Sequence, residues 1–189
     1  MVESTLSAIL KENPIICAVK SYDDLTKSLA CESKVVFVLF GDVLSIGDIV
    51  AKVKAADKYA LVHIDLIEGL ASRDVAVDYL AGSTQVDGII STKASIIRRA
   101  KALGLFAIQR FFVLDSMALV NIQKQIPFEG ADAIEVLPGA MPKIIKTLTS
   151  YTRKPIIASG LINDKEDVIG ALGAGALSVS SSNSGVWFL

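Results

Sequence analysis

The chain has 189 residues, 52% of them hydrophobic and 21% charged, with a formal net charge of −1, enough for one sizeable core and short for two ordinary domains. An isoelectric point near 5.8 and a mean hydropathy of +0.52 exclude a molecule that attracts nucleic acid by its overall charge, so any such contact must use a local patch. Two cysteines, Cys17 and Cys31, stand in no metal-ligand spacing and suit a reducing cytoplasm better than a disulfide framework.

The opening, MVESTLSAILKENP, carries acidic residues and no basic stretch, so no signal peptide is expected; within it Glu3–Lys11 reads as a helix. Ile15–Val19 is the first of eight apolar, β-branched runs. It is followed by a helical pattern over Asp23–Ala30, a strand over Val35–Phe40, a helix over Ile46–Ala56 and a strand over Ala60–Ile64. Helix Arg73–Ala81, strand Gly88–Ile90, helix Ser95–Leu103 and strand Phe106–Gln109 continue the series. Helices over Asp115–Gln125, Met141–Thr149 and Asp164–Leu172 then alternate with strands over Ala133–Val136, Ile156–Ala158 and Ala176–Val179. Gly104, Gly130 and Gly173 stand where a helix should hand over to the next strand.

The strands are nearly continuous in hydrophobicity, as expected for parallel strands buried on both faces. None approaches the roughly 20 apolar residues that cross a bilayer, so no membrane partner is expected. Eight strands alternating with helices at a period of roughly 20–27 residues predict an α/β fold, a (β/α)8 TIM-type barrel. An open doubly wound sheet is the rival, but eight strands in so short a chain favour closure. Against the typical length of about 250 residues such a barrel is near-minimal, with short loops. No linker or low-complexity tract divides residues 1–189, which are read as one barrel domain with the extra N-terminal helix over its bottom.

In such a barrel ligands bind at the carboxyl ends of the strands. The residues there are Lys20; Gly41 and Asp42; His63, Asp65 and Glu68; Ser91 to Lys93; Gln109 and Arg110; Glu135; Ser159 and Gly160; and Ser180 to Asn183. Any one of them is explained by loops being polar. Arg110 and Glu135 are not, because each is embedded in apolar sequence and a charge that deep must be paired or meet a ligand. His63, the only histidine, reads equally as a structural residue or a base. Asp65 and Glu68 are suited to hydroxyl groups or a cation, but no second histidine or acidic cluster accompanies them, so no metal and no cofactor are expected.

The stretch PIIASGLINDKEDV reads as a strand, a tight turn of small residues and a capped helix. Phosphate sites in these barrels use the loops after strands seven and eight with a short extra helix. Here those loops are Ser159-Gly160-Leu161 and Ser180 to Asn183, and the tail Ser184–Leu189 supplies the helix. Small residues let backbone N–H groups approach an anion.

Several longer stretches, VVFVLFGDVLSIGDIV, VHIDLIEGLASRDVAVDYLA, DGIISTKASIIRRAKALGLFAIQRFFVLDS, AIEVLPGAMPKIIK and IASGLINDKEDVIGALGAGALSVSSSN, resemble the glycerol uptake operon antiterminator family. The resemblance runs in matching order from about Pro14 to Trp187. It implies a bacterial cytoplasmic regulator with a barrel fold, not an established enzyme, and so no catalytic residue. Such a protein responds to glycerol-3-phosphate and acts on the leader mRNA of glycerol-utilisation genes, so that transcription reads through a terminator.

Carried onto this chain, the resemblance places His63, Asp65, Glu68, Gln109, Arg110 and Glu135 in a ligand pocket, with Lys20 on the same rim. It gives the phosphate to Ser159, Gly160, Ser181 and Asn183, and the reading of the two loops adds Leu161 and Ser182. Ser159-Gly160 stands where the family usually has Gly-Gly, and Ser180 to Asn183 departs conservatively from Ser-Thr-Ser-Asn. For the mRNA the basic surface is Lys93, Arg98, Arg99 and Lys101, with a second group at Lys143, Lys146, Arg153 and Lys154. Arginines and lysines engaged in salt bridges or a dimer contact would not serve as that surface. The residues also allow a sugar-phosphate isomerase, epimerase or aldolase, with Lys20 or Lys93 forming a Schiff base or His63 and Glu135 exchanging protons. A metabolite sensor for a protein partner is a third reading. The high apolar content leaves self-association open.

Overall fold

A computed structural model describes residues 5–125 and 130–189. Eight strands close into a barrel in the order β1 to β8, every neighbouring pair parallel. The strands are β1 (Ile15–Val19), β2 (Val35–Val38), β3 (Tyr59–His63), β4 (Gly88–Ser91), β5 (Phe106–Phe112), β6 (Ala133–Leu137), β7 (Ile156–Ser159) and β8 (Ser178–Ser181). The helices are α1 (Thr5–Glu12), α2 (Tyr22–Ala30), α3 (Ile46–Ala55), α4 (Asp74–Ser83), α5 (Ala94–Ala102), α6 (Ser116–Gln125), α7 (Pro142–Thr149) and α8 (Lys165–Gly173). Short 3-10 turns follow β3 at Ile64–Leu66 and β8 at Ser184–Phe188.

The predicted N-terminal helix is α1; its first two expected residues, Glu3 and Ser4, lie outside the described residues. Leu6 and Leu10 of α1 join Ile16, Phe37, Leu61, Ile90, Ile108 and Ile157 in one buried cluster inside the barrel. Burial of each such side chain contributes roughly 1.5–3 kcal/mol. The Ser178 hydroxyl donates to the Leu10 carbonyl at 2.9 Å, satisfying one of the carbonyls that a helix end leaves open. A second set of clusters fills the space between sheet and helices, so the sheet is covered on both faces and the strands need no alternation.

Of the element boundaries that differ from the sequence reading, two bear on the carboxyl rim. β5 runs three residues beyond Gln109, because Val113 N–H continues the ladder to the Leu137 carbonyl at 2.8 Å. Arg110 is therefore inside the strand, not past its end, and Gln109 is no longer its last residue. β8 begins at Ser178 instead of Ala176. The α8-to-β8 break belongs to Gly175, at φ +104, while Gly173 closes the helix. Gly104, at φ +77, is the expected break after α5.

Along each strand alternate side chains face the axis. The lower interior is apolar, whereas the upper interior carries His63, Arg110, Glu135, Ser159 and Ser180, all buried. The barrel thus changes from hydrocarbon to polar groups over one pleat, toward the carboxyl ends.

Candidate functional site

Arg110 and Glu135 lie opposite each other in the β5–β6 register. Arg110 Nε donates to Glu135 Oε2 at 2.6 Å and Nη2 to Oε1 at 3.0 Å. The Ser159 hydroxyl donates to Oε1 at 2.6 Å. Glu135 is fully buried and Arg110 is 7% exposed, so the carboxylate is met on both oxygens. The guanidinium has five N–H donors, of which the carboxylate takes two. A cavity of about 160 Å³ opens above this pair, lined also by Leu39, Ser159, Gly160, Leu161 and Ser180.

The turn after β7 forms one wall. Gly160 and Leu161 are both left-handed, at φ +76 and +60. For leucine that conformation costs roughly 1–2 kcal/mol, which the surrounding turn sustains. Gly139, on the β6–α7 connection, donates its N–H to the Gly160 carbonyl at 2.9 Å. It must be glycine, since a Cβ there would lie 2.5 Å from Ser159 N. Among the described residues the backbone N–H groups of Gly160, Leu161 and Ser182 donate to no protein group.

The end of β8 forms the other wall. Ser159 and Ser180 are neighbours in register, and the Ser180 hydroxyl, aimed inward, has no protein partner among the described residues. Ser181 faces the other way: its hydroxyl donates to the Ile162 carbonyl at 2.7 Å and accepts Asn183 N–H at 3.0 Å. Asn183 donates to the Asn163 carbonyl at 2.8 Å and accepts Gly185 N–H at 3.0 Å. Ser181 and Asn183 are therefore braces between the two loops. The tail does form a short helix, but Asn183 already caps it and accepts Val186 N–H on its carbonyl.

The remaining expected ligands do not line this cavity. His63 is buried, with Nδ1 unpartnered and 3.9 Å from Asp65 Oδ2. Burial, reinforced by the Arg110 cation and opposed by Asp65, brings it down to about 4, so it is neutral near pH 7. Asp65 accepts from the Ser72 and Ser91 hydroxyls at 2.8 and 2.9 Å and from Thr92 N–H at 3.0 Å. Burial pushes its carboxyl up, but these bonds outweigh that and hold it below the usual carboxylate range. It ties the end of β3 to the end of β4. Gln109 lies on the opposite face of β5 from Arg110, buried, with both side-chain polar atoms unpartnered. Lys20, Glu68 and Lys93 are exposed, so neither lysine named for a Schiff base stands at the cavity. Among the described residues no group of three or more His, Cys, Asp or Glu is placed to hold a metal.

Two larger depressions are less suited to an anion. One, about 480 Å³, is lined by Glu12, Glu32, Ser33 and Trp187 with no basic residue. The other, about 370 Å³, contains Lys34, Lys54 and Lys58, but Lys34 pairs with Asp57 and Lys54 with Asp87. The expected basic surface on α5 is also partly engaged. Arg99 pairs with Asp78 at 2.6 Å and Lys101 with Asp132 at 2.8 Å. Both cations are thus met by carboxylates of this molecule. Lys93 and Arg98 are exposed without an ion pair among the described residues, as are Lys143, Lys146 and Arg153.

Comparison with known proteins places the chain among described relatives. The family model described as glycerol-3-phosphate responsive antiterminator matches residues 15–187. The uncharacterized protein YgcP of Escherichia coli strain K12 is 44% identical over 181 residues, which is 96% of this chain and 95% of that protein. The crystal structure of a glycerol uptake operon antiterminator regulatory protein from Listeria monocytogenes superimposes with a TM-score of 0.88. It is 35% identical, covering 92% of this chain and 94% of that one. A glycerol uptake operon antiterminator-related protein from Thermotoga maritima gives 0.82 at 31% identity, with 93% and 98% covered. No helix among the described residues is long and apolar enough to cross a membrane.

Proposed function

Because the chain belongs to the glycerol-3-phosphate responsive antiterminator family, we propose that the cavity over Arg110 and Glu135 takes glycerol-3-phosphate and that its occupancy sets the affinity for a leader mRNA. A single observation carries the first half: a guanidinium with three unused donors stands beside a turn whose backbone N–H groups are also unused. The phosphate meets Gly160, Leu161 and Ser182 N–H groups and the Ser180 hydroxyl, while Arg110 contributes charge-assisted bonds. The glycerol hydroxyls meet Glu135 and Ser159. About 160 Å³ lies below the roughly 300–1,000 Å³ of sites for drug-sized molecules, in keeping with so small a ligand.

The second half rests on connectivity. Gly139 joins the β7 turn to the start of α7, and α7 carries Lys143 and Lys146, with Arg153 just beyond it. A ligand that orders the turn biases the placement of these cations, provided it binds the two placements unequally. Phosphate contacts by lysine and arginine need only such a patch.

Calorimetry with glycerol-3-phosphate, glycerol and inorganic phosphate tests the pocket. Saturable binding of the ester that exceeds that of either fragment supports the reading. Equal binding of inorganic phosphate and the ester would remove the glycerol contacts assigned to Glu135 and Ser159.

A further inference from the structure

β1 and the end of α2 bring together the chain's two cysteines. Cys17 faces outward from β1 and is fully buried; Cys31 ends α2 and is 7% exposed. Their Sγ atoms are 3.2 Å apart in a shared hydrogen bond. Lys58, itself 5% exposed, lies against them. Its ammonium donates to the carbonyls of Cys31 and Ser33, both at 2.6 Å, and lies 3.8 Å from Cys31 Sγ.

A buried ammonium is costly unless its three donors are used and its charge is met. Among the described residues no carboxylate pairs with Lys58. The acidic group within its reach is the Cys31 thiol. The hydrogen bond from Cys17 and the charge of Lys58 bring that thiol down to about 6 against the effect of burial, while Cys17 is pushed up by the same bond and by burial. As a neutral thiol Cys31 donates to the Ser28 carbonyl at 3.2 Å; as a thiolate it accepts from Cys17 and faces Lys58.

We propose that Cys17 and Cys31 are a redox-active dithiol that hydroperoxides convert to an intramolecular disulfide, with Lys58 holding the attacking thiolate. Cys31 Sγ attacks the O–O bond, forming a sulfenic acid and releasing the second oxygen as water or alcohol with the proton the thiol gave up. Cys17 Sγ then attacks the Cys31 sulfur; the S–O bond breaks and hydroxide leaves with the Cys17 proton as water. The two thiols lose two electrons together and the hydroperoxide gains them. The sulfurs must close to about 2.0 Å.

Trp187 reports the event. It is the only tryptophan, lies in the same buried cluster as both cysteines, and donates Nε1–H to the Ser181 carbonyl at 2.7 Å. Ser181 is the β8 partner of Cys17, so a disulfide at Cys17 quenches indole emission.

The test titrates reduced protein with hydrogen peroxide in reductant-free buffer. The expected result is an intact mass lower by two hydrogens, a peptide linking Cys17 to Cys31, lower Trp187 emission, and reversal by dithiothreitol. Cys17→Ser should accumulate a dimedone-reactive sulfenic acid at Cys31, and Lys58→Met should slow oxidation of Cys31 at least ~10-fold near pH 7. If the wild-type protein keeps both thiols alkylatable after excess peroxide, or links only between molecules, the dithiol assignment is overturned whatever the variants do. An unchanged rate in a folded Lys58→Met protein would overturn the part given to the lysine.

Discussion

Arg110 and Glu135 meet face to face across β5 and β6, through two hydrogen bonds of 2.6 and 3.0 Å, at the floor of the cavity. A buried ion pair is weak support for stability, since apolar residues of similar volume often do as well or better. Its place under a polar cavity points to ligand binding as the reason for keeping it. The two roles separate by mutation. Arg110→Ala leaves Glu135 buried without its partner and should lose roughly 3–5 kcal/mol in urea unfolding along with ligand binding. The double change Arg110→Met with Glu135→Leu should restore most of that stability and still fail to bind in calorimetry. Ligand affinity retained by the double variant would take the pair out of the site.

Ser180→Ala removes a hydroxyl that has no protein partner among the described residues. It should leave the unfolding midpoint unchanged and weaken glycerol-3-phosphate binding by about 1 kcal/mol, near fivefold. Ser181→Ala should do the reverse in stability, because it breaks the bonds to Ile162 and Asn183. A pair of titrations and a pair of melts distinguish the serine that faces the cavity from the serine that braces the loops.

Gly139→Ala tests the link between the cavity and α7. Its Cβ would fall 2.5 Å from Ser159 N and 2.7 Å from the Ala158 carbonyl carbon, so one backbone must move. The expected cost is about 1–3 kcal/mol, measured by denaturant unfolding, with weakened ligand binding because the Gly160 turn moves with it. A variant of unchanged stability would mean that the two connections are not held together as described.

His63 makes the protein acid-sensitive. Its folded value of about 4 lies below the ordinary 6.5, so between those values the unfolded chain binds the additional proton. The stability contributed by neutral His63 is fully present above about pH 6.5 and is lost as pH falls through 4. The gap corresponds to roughly 3 kcal/mol. Urea unfolding of the wild type and His63→Gln across pH 4 to 7 measures it. The variant should show a shallower decline, and parallel curves would show that His63 does not titrate as argued.

The barrel was legible because its strands are continuous apolar runs with helical patterns between them, and this holds wherever a sheet is covered on both faces. Arg110 and Glu135 were legible as charges embedded in apolar sequence. The orientation of the β8 serines was not. Placing the strand at Ala176–Val179 put Ser180 beyond its end, whereas the ladder through Ser181 gives Ser180 to the axis and Ser181 to the outside. The alternation Ser178, Ser180, Ser182 carried that signal. Asp65 read as a free carboxylate because its partners Ser91 and Thr92 lie 26 and 27 residues away. The same holds for Arg99 with Asp78 and Lys101 with Asp132, separated by 21 and 31 residues: tertiary ion pairs leave no local trace, and a basic helix looks available until its neighbours are placed.

The most direct measurement is retention of the glycerol-gene leader RNA on filters at graded salt, with and without glycerol-3-phosphate, for the wild type and for Lys143→Ala with Lys146→Ala. Retention that requires the ligand, falls as salt rises, and loses about one unit of salt slope for each phosphate-contacting lysine removed is the predicted result. Retention indifferent to glycerol-3-phosphate, or none in either condition while calorimetry shows the ligand bound, would contradict a ligand-gated RNA regulator.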